Sequence, residues 1–406
     1  MTGPLTRGPG GGSPVPSSRP WIRTTGALAA VVLLAGCAAA AGSTQSSSPG
    51  GSHRGAAAVA SVPAVALPTL TDRQLAGQRV IYSYSGLTPP ARLLRRIRHG
   101  QAAGVIFFSQ NIASRAQLSR VAAELQHADR SSLNPVRKPL LLMTDQEGGL
   151  VRRLPGSPAK SEKQIGDSAN PASAARNAGR GAGRNLHGAG LNVNLAPVLD
   201  VYRQAGNFID EFGRSYSKNP AVVSKLGTDF IKAQQRKGVA ATAKHFPGLG
   251  AATVSQNTDL RPVTLNLSRH DIRTIDEFPY RAAIAAGVKL VMVSWASYPS
   301  LGSRRPAGLS SRVVQGELRQ RLGYTGVTIT DALEAGGLVH YGSIENRAVL
   351  AATAGMDLLL CSVQHVSEGV EALDGLVDAY RDGTLNHSKF RASVRNVIAL
   401  RASLAG

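Results

Sequence analysis

The 406-residue sequence has only two cysteines, few aromatic residues (5%) and few acids, with 25 Asp and Glu against 46 Lys and Arg. Cys37 and Cys361 alone build neither a disulfide framework nor a zinc cluster of the usual spacing. The most apolar run, residues 26–35 (GALAAVVLLA), falls short of the ~20 residues a membrane-crossing helix needs. No Gly-rich phosphate loop or metal-ligand cluster is present, so neither a metal nor an organic cofactor is expected. A net charge of +21 usually points to nucleic acid, but no basic motif interleaved with aromatics accompanies it. The charge suits anionic envelope polymers or lipid headgroups, or it is an arginine-rich bias with no partner at all.

What is present begins with a leader. Arg19 and Arg23 precede the apolar run, which ends in Leu34-Ala35-Gly36-Cys37. A positive region, a short apolar core and small residues before a cut form a secretory signal. With cysteine at the cut it resembles the bacterial lipobox, whose cysteine is acylated and becomes the new N-terminus. Residues 1–37 are therefore expected to be a lipoprotein signal ending at the lipid-bearing Cys37. Residues 38–67, nearly all Ala, Gly, Ser and Pro at their start, cannot bury a core and read as a tether. That places residues 68–406 on the outer face of a cell membrane. Cys361, inside the apolar run 356–361 (MDLLLC), is expected to be a buried small hydrophobe.

Beyond the tether, β-rich runs recur at 79–83, 104–109, 140–144, 192–197, 240–244, 290–294, 327–331 and 357–361. Between them lie amphipathic stretches such as 92–98, 115–127, 221–235 and 312–322, with apolar residues at spacings of three and four. Near-continuous apolar strands imply that both faces are covered, as in a parallel sheet. Eight strand–helix units in one domain of this length predict an α/β fold, a (β/α)8 TIM-type barrel. A doubly wound open sheet is the alternative, and it would more often carry a Gly-rich loop where 83–88 reads SYSGLT. Chemistry in a barrel sits at the C-terminal ends of the strands. Asp145 follows the third run, Asp200 the fourth, Lys244 and His245 close or follow the fifth, and Asp331 closes the seventh.

Those strand ends carry motifs. Residues 145–149 (DQEGG) with Arg153, 196–200 (APVLD), 213–217 (GRSYS), 244–248 (KHFPG) and Thr330-Asp331 resemble glycoside hydrolase family 3 in order and spacing. The order and spacing are similar to those of its single-barrel β-N-acetylglucosaminidases. The resemblance implies a retaining hydrolase that removes terminal β-linked N-acetylglucosamine from cell-wall-type glycan and works as a monomer. Asp331 would be the nucleophile, on the rigid mount of a strand end. Asp145, Arg153, Arg214, Lys244 and His245 would grip the sugar, since a ring of hydroxyls calls for charged donors and acceptors.

The sequence departs from that family in one loop. Its β-N-acetylglucosaminidases draw a proton donor from an Asp-x-His dyad after the KHFPG segment, and here those positions fall on Ser255 and Asn257. Leu249 and Ala251 replace the usual His and Asp, and Ala332 follows Asp331 where a second acid is usual. Asp259 is the nearest titratable group and the candidate substitute acid, swinging in on a loop expected to be mobile. Three readings stay open: a hydrolase with a substitute acid, a sugar-binding lipoprotein that has lost turnover, and a transglycosylating or phosphate-assisted variant. An activated aryl N-acetylglucosaminide needs little protonation of its leaving group. It is expected to be cleaved even if natural disaccharides resist, as release of the aryl alcohol would report.

Overall fold

Apolar runs that are unbroken in sequence divide into two faces on folding, because successive strand side chains point to opposite sides. Ile81, Ile106, Leu141, Met143, Leu195, Leu290, Met292, Ile329 and Leu360 form one buried cluster. Their neighbours Val80, Tyr82, Val105, Leu142, Val291, Val293 and Leu359 belong to another, together with the helices. A computed structural model describes residues 67–405. The proposed lipid site at Cys37 and nearly all of the tether lie outside them.

Among the described residues there are ten strands: β1 (Val80–Tyr82), β2 (Gly104–Ile106), β3 (Leu141–Thr144), β4 (Gln146–Gly148), β5 (Val151–Arg152), β6 (Val193–Asn194), β7 (Ala240–Phe246), β8 (Leu290–Val293), β9 (Val327–Ala332) and β10 (Leu358–Leu360). Eight close a parallel barrel in the order β1-β10-β9-β8-β7-β6-β3-β2, sealed where Val80 pairs with Leu359. Closure excludes the open doubly wound sheet. Each of the eight predicted runs coincides with one barrel strand, with β7 and β9 continuing past the predicted ends to Phe246 and Ala332. The antiparallel hairpin β4–β5, which follows β3 outside the barrel, was not anticipated.

Helices follow the barrel strands in turn: α1 (Ala91–Arg98), α2 (Arg115–Asp129), α3 (Pro171–His187), α4 (Pro220–Gln235), α5 (Phe278–Ala285), α6 (Arg312–Arg321), α7 (Ile344–Ala354) and α8 (Val366–Arg381). A last helix, α9 (His387–Ala402), completes the chain. Their starts are written locally. Ser114 caps α2 by accepting from Gln117 N, while Asn170 and Asn219 cap α3 and α4 ahead of Pro171 and Pro220. The predicted helix at 312–322 forms with wide, π-type turns. Val397 and Leu400 of α9 join the cluster of Ile81 and Met143. The adjoining Arg401 is fully buried and donates to both carboxylate oxygens of Asp129, at 3.0 and 2.8 Å. Cys361 is buried and unpaired, as expected of a small hydrophobe.

Candidate active site

The DQEGG segment turns directly off β3, and its shape is set by one amide. Gln146 donates to the carbonyls of Leu154 (2.8 Å) and Ser157 (3.0 Å) and accepts from Leu154 N (3.0 Å). This staples the β4–β5 hairpin shut. Gly148 has φ +122°, and a Cβ there would overlap the Lys160 carbonyl, so the second half of the motif needs glycine. The hairpin carries Asp145 and Arg153 to the rim of a cavity of about 680 Å³ at the C-terminal ends of the strands.

Behind the rim lies a buried network of charges. Lys244, 2% exposed near the end of β7, donates to Asp145 Oδ1 at 2.7 Å and lies 2.8 Å from Glu147 Oε1. Arg214 grips Glu147 with both prongs of its fork, each at 2.9 Å. Burial pushes the Glu147 carboxyl up, but Arg214 and Lys244 outweigh it and hold it at about 2. The same carboxylates hold Lys244 and Arg214 firmly charged against their own burial. Glu162, fully buried nearby, is driven the other way, first by desolvation and then by the charge on Glu147. Arg153 stands 4.0 Å from Asp145 Oδ2.

His245 is oriented from behind. Asp200, wholly buried, accepts from its Nδ1 at 2.7 Å and from Leu249 N at 2.7 Å. His245 Nε2 lies 3.3 Å from Arg214 Nη2. A guanidinium only donates, so Nε2 accepts and the ring proton sits on Nδ1 toward Asp200.

Asp331 ends the run predicted for the seventh strand, and β9 continues through Ala332 before turning. Its Oδ1 accepts from Ala332 N at 2.9 Å, and Trp295 Nε1 donates to Ala332 O at 2.8 Å. Every sugar-gripping residue predicted from sequence (Asp145, Arg153, Arg214, Lys244 and His245) lines the cavity with Asp331, and so does Asp259.

The backbone of the loop carrying Asp259 is stitched to the segment after β9. Gly336 N donates to Asp259 O and Gly337 N to Thr258 O, both at 2.8 Å. A Cβ at Gly336 would overlap the Leu260 carbonyl, so glycine is what permits the seam. Asp259 therefore needs no swing to reach the cavity. Its carboxyl, at the open lip, is pushed up to about 6, first by desolvation and then by the charge of Asp331. Asn257 also lines the cavity and accepts from Asp259 N at 2.8 Å. Ser255 points elsewhere, to within 3.1 Å of Thr253 Oγ1.

Sequence reasoning missed Glu147 as the clamp on Lys244 and Arg214, although it lies inside a motif that was read. It also missed Glu334, which lines the cavity two residues past Ala332 and accepts from Ser362 Oγ at 2.6 Å. Phe208 and Phe212 also line the cavity; Phe212 is exposed and lies one residue before the 213–217 motif, which was its signal in the sequence.

The family pattern described as "Glycosyl hydrolase family 3 N terminal domain" matches residues 77–400. An uncharacterised secreted glycosyl hydrolase of Arthroderma benhamiae is 48% identical over 86% of this chain and 97% of its own. Beta-hexosaminidase A of Pseudoalteromonas piscicida is 30% identical over 86% of this chain and 63% of its own. The solved β-N-acetylglucosaminidase of Paenibacillus sp. superimposes with a TM-score of 0.78 at 36% identity, over 83% of this chain and 64% of that one. The chain thus spans less than two thirds of these last two relatives.

The buried network makes an acid-stability prediction. The depressed Glu147 pKa contributes stability that is fully present above its ordinary 4.5 and is lost as pH falls through about 2. A shift of that size corresponds to on the order of 3 kcal/mol. Glu147→Gln is expected to flatten the fall in folding stability between pH 4.5 and 2 by about one proton's worth. Urea unfolding across that pH range measures it.

Proposed function

Because the chain belongs to glycosyl hydrolase family 3, as the match over residues 77–400 shows, and is therefore a glycosidase, we propose that it releases terminal β-linked N-acetylglucosamine by a retaining mechanism. One observation carries this reading. Two carboxyl groups share the cavity, Asp331 at the strand end and Asp259, whose carboxyl is pushed up to about 6. Retaining hydrolysis needs one carboxylate to attack and one carboxyl to give a proton, and a carboxyl raised toward its neutral form suits the second role. Protonated Asp259 gives its proton to the leaving oxygen as Asp331 attacks the anomeric carbon and forms a glycosyl-enzyme. Water then attacks that carbon, Asp259 takes its proton, and the bond to Asp331 breaks.

The rest of the cavity supports the same chemistry. Asp145 and Arg153 face one edge of the sugar, and Arg214, Lys244 and His245 hold its other hydroxyls or the N-acetyl group. Their mutual ion pairs fix them before substrate arrives, which lowers the ordering cost of binding.

Asp331→Asn is expected to abolish turnover. Asp259→Asn is expected to slow hydrolysis of a natural disaccharide by about 10²- to 10⁴-fold. In the wild-type enzyme kcat/KM on that substrate falls as pH rises through about 6, where Asp259 loses its proton. The variant loses this limb. A limb unchanged in Asp259→Asn would remove Asp259 from the mechanism. Binding of N-acetylglucosamine without turnover of any glycoside would assign the protein as a sugar binder.

The location is proposed alongside the chemistry. A lipid on Cys37 and the Ala/Gly/Ser/Pro tether would hold a monomeric barrel at the outer membrane face, within reach of peptidoglycan-type glycan. In detergent phase separation, Cys37→Ser is expected to move the protein from the detergent to the aqueous phase. Equal partitioning of the variant and the parent would refute the anchor.

A further inference from the structure

The excess of basic residues is unevenly spread. Residues 89–140 hold nine Lys and Arg against two acids, and α2 lies at the centre of that segment. Between α2 and α3 is a cleft of about 410 Å³ lined by Arg115, Arg180 and Arg184, together with Ser157, Asn177 and Asn185. No carboxylate lines it, and none of the three guanidinium groups has an ion-pair partner among the described residues. Arg176, one turn earlier on α3, shows the contrast, because it meets Asp229 at 3.3 Å.

The walls of this cleft are fixed by neutral groups. Asn185 is buried, and its amide donates to the carbonyls of Pro155 and Ser157, each at 3.1 Å. Its Oδ1 accepts from Arg115 Nη2, which positions that guanidinium and leaves its charge uncompensated. A Cβ at Gly181 would overlap Ser157 Oγ, so glycine lets the serine hydroxyl lie directly on the helix. Arg180 and Arg184 stand four residues apart on one helix, a like-charge pair that works against the helix until an anion sits between them.

We propose that this cleft is a binding site for a phosphate group, separate from the sugar cavity and independent of its chemistry. Arginine forks match the tetrahedral oxygens of phosphate in paired hydrogen bonds, and the Ser157 hydroxyl and the Asn177 amide supply further donors. The ligand is a phosphate ester or inorganic phosphate, free, polymer-borne or carried on a lipid headgroup.

The test is calorimetric titration of the full chain with inorganic phosphate at constant ionic strength, on the wild type and on R180Q/R184Q. Both arginines are exposed. Identical thermal unfolding of the two proteins in chloride would confirm that the fold is intact, and R115Q provides a second, independent variant. Phosphate is expected to bind the wild type, and about tenfold or more weakly to either variant. Sedimentation with phosphatidylglycerol vesicles, against phosphatidylcholine vesicles, separates the sources in a Cys37→Ser background that removes the proposed lipid. Co-sedimentation that R180Q/R184Q loses supports the site and assigns a lipid headgroup. Phosphate binding without co-sedimentation supports it and assigns a soluble or polymer-borne ester. Heat no greater than that from chloride, or equal affinity in wild type and both variants, overturns the site.

Discussion

Lys244 has almost no contact with water, and a buried ammonium is tolerated only when its charge is answered at close range. Much of the barrel mouth is built around that requirement. Asp145 and Glu147 provide the answer from the β3–β4 turn, and Arg214 arrives because Glu147 has a second oxygen to satisfy. Removing any one of the four leaves another charge stranded. The network therefore ties β3, β7 and the loop after β6 into one arrangement before any sugar enters. Glu162 stays compatible with it by being driven toward its neutral form.

The same logic organises the next layer. His245 is aimed by a carboxylate that also caps Leu249 N, so the peptide geometry after β7 and the ring orientation are set by one residue. Asp331 takes its place from the strand that bears it. Asp259 differs from both: it is held through its backbone, and desolvation, with the charge of Asp331 second, raises its carboxyl.

The barrel was legible because its strands repeat eight times as short apolar runs, and a strand end is a place that sequence can mark. Asp145, Lys244, His245 and Asp331 were found on that ground, within motifs that keep their spacing. Glu147 lay in plain view, yet nothing in a linear pattern says that the second acid of the motif pairs inward with Lys244 and Arg214 as well. The β4–β5 hairpin was missed because it is two to three residues long per strand and is held by a side-chain amide, which strand periodicity does not register. Glu334 was missed because Ala332 had already been read as the loss of an acid, and a turn returns a carboxylate to the rim two positions later. The fixed character of the Asp259 loop was invisible for a related reason: its partners are backbone amides of two glycines almost eighty residues away.

That backbone seam has a consequence for how the site tolerates change. Asp259 and Asp331 come from different βα loops, but the amides of Gly336 and Gly337 make the two loops one mechanical piece. Side chains on the Asp259 loop are then free to vary without changing where its backbone lies. A fold arranged this way can carry Ser255 and Asn257 at the loop tip and still keep Asp259 at the cavity that Asp331 lines. The glycines after β9 hold the geometry, so a substitution at the loop tip changes its chemistry without moving its backbone.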